Sequence, residues 1–270
     1  MIVKVCIAGS TGWVGRELVR AVVASGDLRL VAAVARGAAG QDAGAAAGLP
    51  EAGVTIVASV AEALGARPDV LVDYTKPNAV KANTLTAIAT GVNVVVGTSG
   101  LSAEDYAEIE AAARQRSVGV IAAGNFSLTA TLMQRFALMA APHVPDVEVI
   151  DYASATKPDV PSGTARELAE RLGQVQRGTP RALPVDMLHG QRETRGAAVG
   201  GIRVHSLRVP GYVLSCEAVF GLPDERLTIR HDAGSSANPY VGGTLLAIRK
   251  VKGRVGLTRG LDQLLFGTAE

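Results

Sequence analysis

Nothing constrains this chain more than seven residues near its start. Gly9-Ser10-Thr11-Gly12-Trp13-Val14-Gly15 is a GxxGxxG turn set directly between a strand-like run and a helical one. Glycines there let the backbone turn sharply and let its N–H groups come close to a pyrophosphate at the positive end of the following helix. Val3 to Ala8 supplies the strand, and Val14 to Ser25 the helix, with Val14, Leu18, Ala21 and Val22 on one face. In that position the turn predicts a dinucleotide site whose contacts are Gly9, Ser10, Thr11, Gly12, Trp13, Val14 and Gly15. The competing reading is a turn that only packs a helix on a strand.

The rhythm that follows fixes the fold class. Leu28 to Ala35, Asp69 to Tyr74, Val92 to Val96 and Val118 to Ala122 read as further strands, with helices near 77–90 and 103–116 between them. Strand and helix taking turns implies parallel strands joined by crossover helices, an α/β fold with a Rossmann-type doubly wound parallel sheet. Gly37 to Gly53, rich in Ala and Gly, reads as a loop with a weak helix. Beyond Asn125 the pattern changes: a helix over 127–141, a strand Val147 to Ser154, a helix from Gly163, a long loop over 174–200, and strands at 201–209, 212–220 and 226–232. Short turns between those strands predict a second α+β domain with an open mixed sheet. A helix over 239–251 and a short one near 258–266 close the chain. The predicted domains are 1–126 with 237–270, which carries the dinucleotide turn, and 127–236.

Composition removes whole classes. Apolar residues are 48% and net charge is +2 with both signs mixed, so there is no basic face for nucleic acid and no polybasic membrane patch. Aromatics are 4%, too few for base-stacking platforms. No apolar run approaches the ~18 residues of a membrane span, and the chain enters its first strand without a signal-peptide pattern, which predicts a cytoplasmic protein. Cys6 and Cys216 each lie in an apolar run and read as buried thiols; no metal-ligand spacing is present.

Which dinucleotide binds is decided where the second strand ends. An acid there would take the ribose 2′-hydroxyl of NAD, whereas Val34-Ala35-Arg36 offers an Arg for a 2′-phosphate. NADPH is therefore the expected cofactor, with NADH weaker. Tyr74-Thr75, Gly97-Thr98-Ser99 and Asn125-Phe126 end other strands of the same sheet and are expected to follow the cofactor along its edge. In the second domain, Lys157-Pro158-Asp159-Val160-Pro161-Ser162-Gly163-Thr164-Ala165 puts a helix start beside a Lys. Ser162, Gly163 and Thr164 offer hydroxyls and amides to a carboxylate, and Lys157 offers charge or a proton.

Taken in order, these segments resemble the 4-hydroxy-tetrahydrodipicolinate (dihydrodipicolinate) reductase family. The glycine turn, Asp73-Tyr74-Thr75-Lys76-Pro77, Gly97-Thr98-Ser99-Gly100, Asn125-Phe126-Ser127, Lys157 to Ala165, His205-Ser206-Leu207-Arg208 and Glu217-Ala218-Val219-Phe220 carry the likeness. The resemblance implies a homotetramer, hydride delivery from a nicotinamide to a cyclic imine carboxylate, and a place in lysine and diaminopimelate biosynthesis. It places His205 and His231 near the site; His143 and His189 read as surface residues. Three family features are missing. The family's consecutive histidines, a proton donor and a substrate-carboxylate contact, fall at Ala153 and Ser154; its basic residue near the closing helix falls at Ser236; its glycine-loop Arg falls at Trp13.

Ser154 and Lys157 then become the expected substrate contacts, and Lys157 the catalytic candidate, with bound water as the other proton source. Tyr152 points to the opposite face of its strand from Ala153 and cannot substitute. A divergent reductase of a mono- or non-carboxylated cyclic imine is one alternative, and a non-catalytic NADPH-binding regulator another. A semialdehyde dehydrogenase would need a mid-chain nucleophilic Cys, which neither Cys6 nor Cys216 provides.

Overall fold

The computed structural model describes residues 2–267, which form two compact units: one runs to Leu128 and resumes at Ala237, and the other spans Thr129–Ser236. In unit 1, β1 (Val3–Ala8), α1 (Trp13–Val23), β2 (Leu28–Val34), α2 (Ala43–Ala46), β3 (Ile56–Val57), α3 (Val60–Ala63), β4 (Val70–Asp73), α4 (Pro77–Ala89), β5 (Asn93–Val96), α5 (Ala103–Arg116) and β6 (Gly119–Ala122) follow one another. The second unit then carries α6 (Leu128–Ala140), β7 (Asp146–Ala153), α7 (Gly163–Val175), β8 (Ala197–Val199), β9 (Ile202–Arg208), β10 (Leu214–Leu222) and β11 (Glu225–Ala233). The chain finally returns to unit 1 as α8 (Asn238–Val251), β12 (Gly256–Arg259) and α9 (Asp262–Phe266).

Unit 1 is built on a seven-stranded sheet in the order β12-β6-β5-β4-β1-β2-β3, parallel at every pairing. Parallel strands need both faces covered, and β1 shows how one short run meets that demand. Val5 and Ile7 enter the layer formed with α1 and α8, while Cys6 and Ala8 enter the layer with α3, α4 and α5. All four are fully buried, and a side chain such as Ile7 gains about 1.5–3 kcal/mol by leaving water. The helix starts are written into the sequence: Pro77 opens α4, and Ser102 with Asp105 forms a reciprocal capping box on α5.

Unit 2 holds a five-stranded sheet in the order β11-β10-β7-β9-β8; β7 and β9 are parallel and the remaining pairs antiparallel. Burial alternates strictly along β7, so Val147, Val149, Asp151 and Ala153 face inward. Met133 and Ala137 of α6, with Leu168 and Leu172 of α7, pack on that same face.

Two sequence expectations change. The loop expected over 174–200 contains β8 and two short helical turns, Val185–Met187 and Arg192–Arg195. Gly200 and Gly201, both at positive φ (59° and 87°), make the two-residue turn that folds β8 back on β9. The helix expected near 258–266 starts only at Asp262, because Gly256–Arg259 pairs with β6 as the sheet's edge strand. The two-residue strand β3 escaped the sequence reading altogether. Among the described residues, no helix is long and apolar enough to cross a membrane.

Two adjacent glycines in α8 should respond in opposite senses to Ala. A Cβ on Gly242 meets nothing, whereas one on Gly243 strikes the Phe126 carbonyl oxygen. Gly242→Ala should gain up to about 1 kcal/mol from helix propensity, and Gly243→Ala should lose roughly 1–3 kcal/mol to overpacking. Urea-denaturation midpoints measure both.

Candidate active site

Because the strands of unit 1 are parallel, their carboxyl ends share one edge, and the predicted cofactor residues follow those ends. Gly9 sits at φ 82°, and a Cβ there would collide with the Tyr74 carbonyl oxygen; a Cβ on Gly15 would collide with the Gly9 carbonyl oxygen. The turn therefore closes only with hydrogen at both positions. Its amides divide into two sets. Those of Gly9 and Ser10 both donate to Val34 O (2.9 and 3.1 Å), and that of Gly12 to Gly9 O (2.9 Å). Those of Thr11, Trp13 and Val14 have no protein partner among the described residues, and Gly12 caps α1 without a side-chain hydrogen bond. Open amides at a helix N-terminus, in a cradle that a Cβ would fill, fit a dinucleotide pyrophosphate.

Several predicted residues present backbone rather than side chain. Ser10 is buried with its hydroxyl near Val34 O (3.3 Å). The Tyr74 hydroxyl turns inward to Thr244 Oγ1 (2.8 Å), burial raises its pKa, and its ring packs on Phe126, itself almost fully buried. Asn125 accepts the Ser127 amide in a local turn (2.8 Å). Ser99 is exposed, and Arg36 is exposed in the short helical turn that follows β2. Trp13 is half exposed as the first residue of α1, edge-on to Tyr240 at 5.6 Å between ring centres.

The organiser of this edge was not among the sequence candidates. Asp73 ends β4 with no solvent exposure. Its carboxylate accepts from the Thr75 amide (2.9 Å), Thr75 Oγ1 (2.7 Å), Thr98 Oγ1 (2.7 Å) and Asn83 Nδ2 (2.8 Å). One side chain thus ties the turn after β4 to the turn after β5. A carboxylate only accepts, so both hydroxyl protons are committed to it. Thr75 and Thr98 consequently present lone pairs to a ligand, suited to hydroxyl or amide donors. An acid closing the apolar run Asp69 to Tyr74 was the available signal.

In unit 2 the inward face of β7 meets the start of α7. Ser162 is nearly fully buried; its Oγ accepts from the Ala165 amide (3.3 Å) and its own amide donates to Asp151 Oδ2 (2.9 Å). Both groups that the sequence offered to a ligand are spent internally, so Ser162 builds the helix start. Thr164 is buried too, while Gly163 is half-buried and its amide has no partner among the described residues. Lys157 Nζ pairs with Asp159 Oδ1 at 2.7 Å. The Ser154 hydroxyl lies 3.3 Å from Thr156 Oγ1, and Ala153 is fully buried. Tyr152 occupies the opposite face, bonded to Glu217 (3.2 Å) beneath the Arg230 guanidinium.

The histidines and cysteines sort by burial. His143 and His189 are exposed, and His205 pairs with Glu148 (2.7 Å) on the face away from Asp151. His231 is buried, and burial lowers its pKa. Burial, reinforced by Asp73 at Cys6 and by Asp151 at Cys216, pushes both thiols up to about 12. Neither is poised as a nucleophile.

An open parallel sheet with a pyrophosphate-type glycine turn at its carboxyl edge defines a nicotinamide-dinucleotide oxidoreductase of the Rossmann type. Family profiles described as dihydrodipicolinate reductase, N-terminus and C-terminus, match residues 3–126 and 128–265, and the chain belongs to the dihydrodipicolinate reductase family. It is 40% identical over 265 residues to the 4-hydroxy-tetrahydrodipicolinate reductase of Moorella thermoacetica, covering 97% of this chain and 98% of the relative. The same-named protein of Thermosynechococcus vestitus is also 40% identical, with 97% of each chain covered. Among solved structures, a dipicolinate-bound dihydrodipicolinate reductase from Paenisporosarcina matches with TM-score 0.74 at 30% identity, covering 97% of this chain and 99% of that one. An amine dehydrogenase from Mycobacterium smegmatis, 18% identical with TM-score 0.66 and covering 95% of this chain and 94% of its own, shares the fold.

Asp73→Asn keeps an acceptor at the Oδ1 position but sets an N–H2 group against Asn83 Nδ2, and it turns the charge-assisted hydrogen bonds of Thr75 and Thr98 into neutral ones, loosening both turns. Dinucleotide affinity is expected to fall about tenfold, the scale of one charge-assisted hydrogen bond. Titration calorimetry on the purified variant measures it, and affinity within twofold of the parent would remove Asp73 from the site.

Proposed function

We propose that the chain is an NADPH-dependent reductase that delivers hydride to the C=N bond of a cyclic imine. The first candidate substrate is the 4-hydroxy-tetrahydrodipicolinate in its relatives' name, placing it in lysine and diaminopimelate biosynthesis. One observation carries this reading: whole-length family membership coincides with a glycine cradle whose amides stand open at the sheet edge. Thr11, Trp13 and Val14 amides hold the pyrophosphate, Arg36 takes the 2′-phosphate, and the backbone and hydroxyls of Thr75, Gly97 and Thr98 hold the nicotinamide half. Bound there, the reduced nicotinamide supplies the hydride that adds to the imine carbon.

The nitrogen of that C=N bond needs a proton, or must arrive already protonated. Lys157 is the donor we favour, since it precedes α7 by a short turn in the sequence and Asp159 orients its ammonium. Gly163 and Thr164 at the α7 N-terminus receive a substrate carboxylate. Fully buried Ala153 and hydroxyl-bearing Ser154 add no titratable group. That observation favours the second reading, a substrate with one carboxylate or none.

For assembly, a homotetramer is the reading we favour. The β7 face bearing Glu148, Ile150 and Tyr152 lies opposite the face on which α6 and α7 pack, and it opens a cavity of about 590 Å³ beside His205 and Val219. A cytoplasmic location accords with this reading.

The test follows loss of reduced-nicotinamide absorbance with the dicarboxylate imine, monocarboxylate cyclic imines and uncharged ones. Turnover of the first supports the family reaction, a preference for the others supports the second reading, and tight NADPH binding with no turnover at all refutes both. Arg36→Ala should lower the NADPH-to-NADH ratio of kcat/KM by about tenfold, as loss of a charge-assisted phosphate contact requires; an unchanged ratio counts against NADPH preference.

A further inference from the structure

Arg208 ends β9 directly opposite Ala153 in the parallel register with β7, on the same inward face as Asp151. One of its nitrogens does two things. Nη2 donates to Asp151 Oδ2 (2.7 Å) and to the Asp159 carbonyl oxygen (2.7 Å). Asp151 Oδ2 also accepts from the Ser162 amide (2.9 Å) and Ser206 Oγ (3.1 Å). Asp159 in turn holds Lys157 through its side chain (2.7 Å). A single guanidinium nitrogen therefore connects both ends of the segment between Lys157 and the start of α7.

The two ion pairs in this chain of contacts are unequal. Lys157 and Asp159 keep 30% and 34% of their side chains exposed, so that pair alone fixes little. Arg208 and Asp151 keep 14% and 0%, and breaking such a pair leaves an uncompensated buried charge. The stiffness of the segment must come from the buried pair, while the exposed pair follows it.

We propose that Arg208 is a positioning residue for substrate reduction: through Asp151 it holds the α7 N-terminus, and through the Asp159 carbonyl it sets where the Lys157 ammonium stands. This deepens the proposed reductase reading and rests on it. Arg208 does not itself act on the substrate. Its contribution is to keep an anion-binding helix start and a cation at one fixed separation, the kind of geometry whose loss by an ångström costs on the order of 100-fold in rate.

The experiment compares the parent with Arg208→Met, Asp151→Asn and the double variant. Arg208→Met strands a buried carboxylate and is expected to unfold early. The double variant removes both charges, keeps an acceptor for the Ser162 amide and should recover the parent's melting temperature. It should also bind NADPH within twofold of the parent. For the imine that the parent turns over best, its kcat/KM should stay at least about tenfold low, with the greater change in KM. Hydrogen exchange should be faster at the Lys157 amide, which now bonds Ser154 O at 3.1 Å, and at the Ser162 amide, which now bonds the Asp151 carboxylate at 2.9 Å, and unchanged at the Ala165 amide, which Ser162 Oγ holds.

Recovery of stability and of kcat/KM together would show that Arg208 merely balances Asp151, and would overturn the proposal. So would parent-like exchange at Lys157. If the parent reduces none of the imines, the reductase reading fails by itself, and the exchange comparison still decides what Arg208 holds in place.

Discussion

Parallel pairing throughout the seven-stranded sheet is the constraint from which the rest of unit 1 follows. Parallel neighbours cannot be joined by tight turns, so each connection crosses a face of the sheet, and both faces become buried. That explains why β1 sends alternate side chains into two different helical layers. It also explains why the glycine turn, the Thr75 turn and the Thr98 turn arrive on one edge though far apart in sequence. The edge is made of backbone and small hydroxyls because the long apolar side chains are already spent on the two layers.

A buried acid organises each unit, and the two are neutralised differently. Among the described residues Asp73 has no cation; four donors from turns and α4 satisfy it, so its charge is expressed as the orientation of two hydroxyls. Asp151 has Arg208, with Ser162 and Ser206 as further donors, so its charge is expressed as the anchoring of a loop. In both cases the acid stands behind the residues offered to a ligand and decides which atoms those residues can show.

Local features were the legible ones. The strand, glycine turn and helix at 3–25, the sheet class and the α7 cap at Ser162 all rest on periodicity or on neighbours within a few residues. Ser162 shows where such reading stops: its spacing announces an amide and a hydroxyl, but only the fold reveals that Asp151 and Ala165 have already engaged them. Asp73 was missed because its partners Asn83 and Thr98 lie 10 and 25 residues away, beyond any repeat of hydrophobicity. The β8–β9 turn was missed although Gly200-Gly201 is a recognised hairpin signal, because the surrounding Gly and Pro made the whole stretch read as loop.

The return of the chain from unit 2 to unit 1 has a consequence for how the protein is made. Unit 2 is one continuous segment, so every strand it needs has left the ribosome once residue 236 has emerged. Unit 1 must wait: β12 pairs with β6 across the whole inserted unit, and α8 completes, beside α1, one of the two layers over the sheet. Domains assemble as their chain becomes available, and long-range pairings close late. During synthesis, then, the cofactor-binding half carries a half-covered face and an unpaired β6 edge until α8 and β12 have emerged, although its glycine turn is translated well before them.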